Sequence, residues 1–323
     1  MVRSPGRTWT IRAVTALVLV LGGMGIEQAR DALAESDTPP PPVEAPGPIR
    51  FVALGDSYIS GEGAEVFYEG TNEPENRCRR APTSYPYLIG RFIGVTPVSA
   101  ACSGARTYNV IKKPQYPQSP ASVLGGKPQI EVLRSTEEVD VVLLSVGGND
   151  AGFAEIGQRC GHPLKGSCVK KEPEWIERLE TVGDRLVKVY KAVRAAAPEA
   201  AVFVVNYPVP FGEEYCRAVP TIDRGEYEFL TQRFIPALNS TIERAAAATG
   251  VEVIDISQAF AKWRLCEVDP KDAAINILAL SRTGGRGSFH PTPLGHTLIA
   301  RTVGKLVVQA WVESVAAPKE ASG

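Results

Sequence analysis

Gly55-Asp56-Ser57 follows the largely apolar run Ile49–Leu54. A hydroxyl carried on a sharp turn out of a short buried strand is how α/β enzymes present a nucleophile at the carboxyl edge of a sheet. Alone, the tripeptide suits a surface turn equally well. Three later blocks change its weight: Cys102-Ser103-Gly104, Gly147-Gly148-Asn149-Asp150 and Ser288-Phe289-His290-Pro291. A serine needs a base within hydrogen-bond reach, because its alkoxide is scarce at neutral pH. His290 is the candidate base. His162 lies in a small loop with Pro163 and Cys168, where simple exposure accounts for it. His296 falls in the opening turns of the last helix, where a packing role accounts for it. Acyl transfer also needs donors aimed at the oxygen that turns negative. Gly104 can bring its backbone N–H close, Asn149 offers a side-chain amide after a Gly-Gly turn, and the Ser57 N–H would be a third donor. The plainer alternative is that the glycines only make turns and Asn149 caps a helix beginning at Asp150.

The elements that must position these residues are legible from hydrophobic pattern. Five β-rich runs, at 50–54, 96–101, 139–146, 201–206 and 251–256, are apolar with little alternation, as parallel strands covered on both faces are. Between and after them, helical patterns run over 84–92, 175–197, 226–249 and 293–315. Alternating strands and helices imply right-handed βαβ crossovers and a doubly wound parallel sheet. Ligands of such sheets bind beyond the carboxyl ends of the strands. Ser57, Gly104 and Asn149 follow the first three strands and would meet at that edge, with Tyr207-Pro208 and Ser257-Gln258 following the fourth and fifth.

The chain has 323 residues, 44% hydrophobic and 22% charged, the make-up of a soluble globular protein. Residues 1–34 read as an export signal: Arg3, Arg7 and Arg12, an apolar stretch Ala13–Ile26, then Ala32-Leu33-Ala34 as cleavage pattern. That stretch is too short to span a bilayer, though retention as an anchor stays open. Residues 35–48 form a Pro-rich linker, 49–316 the folded domain and 317–323 a disordered tail. Without residues 1–34 the balance is 31 basic to 34 acidic side chains, so there is no basic excess to attract nucleic acid. Six cysteines in an exported chain argue for three disulfides. Their irregular spacing and the three histidines make a metal site weak, and no metal or cofactor is expected. Each cysteine falls at or after a strand end, so pairing sequence neighbours, Cys78-Cys102, Cys160-Cys168 and Cys216-Cys266, would staple three loops over the candidate edge.

The four blocks, Gly55-Asp56-Ser57-Tyr58, Cys102-Ser103-Gly104-Ala105, Gly147-Gly148-Asn149-Asp150 and His290-Pro291 with Gly295-His296, resemble those of the GDSL/SGNH hydrolase superfamily over roughly residues 50 to 310. They are most similar to its secreted actinobacterial esterases and lipases with three disulfides. The resemblance implies a flavodoxin-like, three-layer α/β/α fold with a five-stranded parallel sheet, and hydrolysis of carboxylic esters through an acyl-serine. It assigns Ser57 as nucleophile and first oxyanion donor, Gly104 and Asn149 as the rest of the oxyanion hole, and His290 as base. Tyr58 stands where the family name has leucine, a side chain without chemistry. The aspartate that many members carry three residues before the histidine is here Gly287. The resemblance then implies a Ser–His dyad whose imidazole is oriented by a main-chain carbonyl, for which Gly287 is the candidate. Asp255, Asp269 and Asp272 remain side-chain alternatives. Asp56 is expected to hold its own turn. The implied substrate is a small-molecule or lipid ester, with phospholipid or acetylated polysaccharide as alternatives and a non-catalytic binding protein as the reading from another class. Aromatics in loops 62–82, 106–127 and 209–224 (Phe67, Tyr68, Tyr108, Tyr116, Phe211 and Tyr215) would suit an acyl group, and loop packing accounts for them equally well. The protein is expected to be an extracellular or cell-wall-associated monomer touching lipid interfaces only transiently.

Overall fold

Strand β1 (Phe51–Gly55) is buried at every position and lies between β2 (Val98–Ser99) and β3 (Val141–Ser145), with β4 (Ala201–Val205) and β5 (Glu252–Ile254) following. The strands are all parallel in the order β2-β1-β3-β4-β5. The order reverses beside β1, between β1 and β3, and this is the switch point where doubly wound sheets open a crevice. The computed structural model describes residues 49–116, 126–160, 167–217, 220, 222–276 and 287–316. The segments 1–34, 35–48 and 317–323, and His162, lie outside the described residues.

The second β-run is shorter than its composition predicts. Only Val98 and Ser99 pair with β1, opposite Val52 and Ala53. Pro97 just before them has no N–H to give a ladder, which suits an edge strand. Complete burial of β1 and β3 requires cover on both faces. Helices α2 (Tyr85–Ile93) and α10 (Pro293–Ala316) pack together as one layer, and α7 (Glu172–Ala196) and α9 (Ile235–Ala247) as the other. Helix α7 buries Trp175, Leu179, Val182, Leu186, Val189, Tyr190 and Val193, a stripe at steps of three and four. At about 2 kcal/mol per buried apolar side chain, that stripe is what keeps α7 on the sheet.

Shorter helices carry the site: α1 (Ser57–Ser60), α3 (Thr107–Ile111), α4 (Glu131–Ser135), α5 (Gly148–Ala151) and α6 (Phe153–Cys160). The pattern over 226–249 is not one helix. It divides into α8 (Arg224–Glu228), a π-helical stretch Phe229–Phe234, and α9. Pro236 supplies the reason, since its missing N–H and its ring disrupt the i→i−4 ladder one turn back, and the Ile235 N–H bonds instead to Leu230 O. Disulfides join Cys78 to Cys102, Cys160 to Cys168 and Cys216 to Cys266. Glu226 accepts from the Cys168 N–H, and with both neighbouring sulfurs in a bridge that trio has no thiolate to offer a metal. Among the described residues no helix is long and apolar enough to cross a membrane.

Candidate active site

Ser57 opens α1 directly beyond β1. Gly55 makes this turn possible: its φ is +133°, and a Cβ there would lie 1.9 Å from the Ser145 carbonyl oxygen. The chain thus leans against the end of β3, and the Asp56 N–H donates to that same oxygen at 2.8 Å. Asp56 caps α1 through its side chain, accepting from the Tyr58 N–H at 3.1 Å. As first residue of the helix, Ser57 keeps a backbone N–H with no intrahelical partner.

His290 brings Nε2 to 2.8 Å from Ser57 Oγ, across 233 positions of sequence. Its Nδ1 lies 2.9 Å from the carbonyl oxygen of Ser288. The carbonyl that faces Nδ1 is therefore one residue later than Gly287. The Gly287 oxygen is already engaged by the His290 backbone N–H at 3.1 Å, closing the turn that aims the Ser288 carbonyl at the ring. Phe289 within this turn has φ +61°, costly for a bulky side chain, on the order of 1–3 kcal/mol. Surrounding bonds hold it there. Asn276 pairs by its backbone with Phe289 N and His290 O, and its amide donates to His290 O and Gly63 O. Tyr58 donates its hydroxyl to Phe289 O, and its ring lies 5.3 Å from the imidazole. Tyr58 thus has a positioning part that its replacement of a leucine did not suggest. Two of the three acids weighed from sequence are engaged elsewhere: Asp255 accepts from Asn206 and Ser257, and Asp269 caps the 3₁₀ turn at Pro270–Asp272.

The glycine-rich turn after β3 carries Asn149 at the start of α5. One amide hydrogen of Asn149 is fixed on the Ala105 carbonyl at 3.0 Å, and the second remains for the cavity that Asn149 lines with Ser57 and Gly104. Two buried carboxylates tie the blocks together. Asp150 accepts from both the N–H and the hydroxyl of Thr107, joining the Asn149 turn to the segment after Gly104. Asp56 accepts from Tyr207 Oη at 2.6 Å, and that oxygen accepts the Gly148 N–H at 2.9 Å. Burial pushes the Asp56 carboxyl up to about 7, against the lowering effect of its Tyr207 and Tyr58 donors.

The cavity over Ser57 measures about 480 Å³. Its apolar walls are Phe153, Ala154 and Ile156 of α6, Pro208 and Pro210 after β4, Leu230 and Ile235 at the π-helical stretch, and Phe289. The loop aromatics expected there have other neighbours. Tyr68 meets Tyr87, Tyr215 meets Tyr227, and Phe211 packs on Tyr227 and Phe289. Glu62, Arg79 and Ser103, which the sequence did not single out, also line the cavity. His296 lies outside this site, fully buried and tilted against Tyr85, its imidazole held down at about 3 by burial and then by the charge of His290.

Residues 53–298 match the model of the GDSL-like lipase/acylhydrolase family. Lipase 1 of Streptomyces coelicolor is 29% identical over 250 residues, covering 76% of this chain and 82% of its own, and a lipase of Streptomyces rimosus is 28% identical over 251 residues, covering 76% and 82%. Among solved structures, a phospholipase A1 from Streptomyces albidoflavus is 30% identical with TM-score 0.61, covering 80% of this chain and 98% of that one. The extracellular lipase of S. rimosus is 26% identical with TM-score 0.65, covering 81% and 99%.

Proposed function

The chain belongs to the GDSL-like lipase/acylhydrolase family, and on that premise we propose that it cleaves carboxylic esters through an acyl-Ser57 intermediate, with His290 as its base. The observation that carries this reading is the 2.8 Å contact between Ser57 Oγ and His290 Nε2, with Nδ1 held by Ser288 O. His290 takes the serine proton as Oγ attacks the ester carbonyl. The oxygen that becomes negative meets the N–H groups of Ser57 and Gly104 and the free amide hydrogen of Asn149. The Ser288 carbonyl accepts the Nδ1 proton and favours the imidazolium, in the place a triad acid would take. His290 then returns its proton to the leaving alcohol, and water repeats the sequence to release the acid.

The apolar walls suit the hydrocarbon of an acyl group, so the substrate class is a lipid or other acyl ester. The phospholipase A1 likeness keeps a phospholipid as second reading. An exported monomer that meets lipid interfaces transiently fits the leader pattern in the sequence and the three disulfides, which persist in oxidising compartments. The test is covalent labelling of Ser57 by a fluorophosphonate together with turnover of p-nitrophenyl esters from acetate to palmitate. Ser57→Ala should abolish both. A folded, oxidised wild-type protein that neither labels nor turns over would exclude the mechanism, and activity on acetate alone would replace the lipid by a short acyl group.

A further inference from the structure

The acyl-transfer steps leave one wall of the cavity unused. Glu62 follows α1 by two residues and is 5% exposed. One of its carboxylate oxygens accepts from Arg79 Nη1, and the other accepts from the Ser103 hydroxyl, next to the oxyanion donor Gly104. Arg79 is held further by the Asn72 side chain, which accepts from its Nε at 3.2 Å. The Glu62 oxygen that meets Ser103 stands 3.8 Å from His290 Nε2, with both side chains largely buried. All three residues line the cavity together with Ser57 and His290.

The direction of proton transfer decides what meets this wall. Nε2 must protonate the oxygen of the departing alcohol, so that oxygen comes within about 3 Å of Nε2. The first carbons of the alcohol then lie beside Glu62, while the acyl chain takes the apolar side. We propose that Glu62, Arg79 and Ser103 form a subsite for the leaving alcohol that selects neutral alcohols carrying a hydroxyl one or two carbons from the ester oxygen. This assignment rests on the ester-hydrolase reading above. A carboxylate offers about four lone-pair sites, and one donor on each oxygen leaves others free to accept an O–H. A purely alkyl alcohol would cover those lone pairs without replacing their hydrogen bonds, which is unfavourable. Charge narrows the class further. Glu62 and Arg79 form a pair, so an anionic phosphate meets a carboxylate as well as a guanidinium already engaged by Glu62 and Asn72, and a cationic group meets a carboxylate already neutralised. Partial glycerides and sugar esters share the favoured chemistry.

The experiment compares kcat/KM of the purified, disulfide-bonded enzyme on ethyl, 2-methoxyethyl, 2-hydroxyethyl, glyceryl and glucosyl butyrate, and on butyrylglycerol phosphate. Wild type should favour 2-hydroxyethyl over both ethyl and 2-methoxyethyl butyrate by about tenfold, the scale of one hydrogen bond to a charged group. The better of the glyceryl and glucosyl esters then identifies the source of the alcohol. In Glu62→Gln the preference should collapse towards equality, with fluorophosphonate labelling of Ser57 reporting that the variant is folded. A second measurement needs no variant: the wild-type butyryl-enzyme should transfer its acyl group to ethylene glycol about tenfold more readily than to ethanol, by the same contacts in reverse. Equal rates on ethyl and 2-hydroxyethyl butyrate, an unchanged preference in a labelled Glu62→Gln, or no preference for glycol as acceptor would each overturn the subsite. Faster cleavage of the phosphate ester than of the glyceryl ester would overturn it in favour of an anion site at Arg79. Failure of wild type on every ester, without labelling, would instead remove the hydrolase reading on which the subsite stands.

Discussion

Tyr58 donates its hydroxyl to the carbonyl of Phe289 at 2.5 Å, joining the residue after Ser57 to the residue before His290. The bond acts on the strained position of the His290 turn, where φ is +61°. Tyr58→Phe should therefore lower kcat more than it raises KM, and should cost about 1–2 kcal/mol in urea unfolding because Phe289 O loses a partly buried donor. Tyr58→Leu, which also removes the ring beside the imidazole, should do worse on both counts. Equal kcat in wild type and Tyr58→Phe would show that the Asn276 bonds alone fix the base.

Asp56, Tyr207 and Gly148 form a relay from the turn of Ser57 to the turn that carries Asn149. Tyr207→Phe leaves a buried carboxylate oxygen and a buried N–H without their partner, at a cost of about 2–4 kcal/mol. It should also raise the Asp56 carboxyl further, since the Tyr207 hydrogen bond is the larger of its two lowering influences. Denaturant midpoints with and without a fluorophosphonate bound on Ser57 measure the loss and show whether an occupied site restores it.

The Ser288 carbonyl at Nδ1 makes a specific forecast for the acids. Asp255→Asn, Asp269→Asn and Asp272→Asn should each retain kcat close to wild type. A fall of about 10⁴ in any one of them, the scale of losing the aspartate of a triad, would show that a side-chain acid orients His290 after all.

Two buried groups titrate against each other. Asp56, raised to about 7 in the fold, adds stability that is complete below its unfolded value near 4 and is lost as pH rises through 7. His296, lowered to about 3, adds stability that is complete above its unfolded value near 6.5 and is lost as pH falls towards 3. Between pH 5 and pH 7 each is worth about 2 kcal/mol, with opposite sign. Wild type should show a nearly flat stability over that interval. Asp56→Asn should become less stable towards pH 5, and His296→Leu more stable, when thermal midpoints are followed across the interval.

The Cys78–Cys102 bridge adjoins the segment that carries Gly104, and Ser103 N donates to Cys78 O at 3.0 Å. Closing a loop of 24 residues is worth about 3 kcal/mol. The double variant Cys78→Ser/Cys102→Ser should lose about that much stability, and should lose kcat beyond what the loss of folded protein accounts for. Fluorophosphonate titration of active sites separates the two effects.

The five parallel strands and the pairing of Ser57 with His290 were legible because they rest on local pattern: buried apolar runs, glycine turns, and blocks that follow successive strand ends. The residues that refine the site were hidden because their partners are remote in sequence. Glu62 reads as a surface acid until Ser103 and Arg79 fold against it, and Tyr207 reads as a strand-end aromatic until Asp56 and Gly148 bracket its hydroxyl. Of the two readings open for the loop aromatics, packing describes Tyr68, Phe211 and Tyr215, and the apolar walls arise instead from α6 and the π-helical stretch, for which Pro236 was the available signal. The orienting carbonyl was misplaced by one residue because only the closed turn shows which of two neighbouring oxygens the backbone has already taken.

Gly55 and Gly63 make the same demand from opposite ends of the site. A side chain at 55 would strike the Ser145 carbonyl, and at 63, where φ is +96°, it would lie 2.6 Å from Pro291 O and 2.9 Å from His290 Cβ. Neither glycine handles a proton or touches an ester. In a saturation library selected for turnover both should be as intolerant as Ser57 itself, so a map of functional sensitivity would mark two positions that do no chemistry. The spacing between Ser57 and His290 is set, in that sense, by atoms that the sequence withholds.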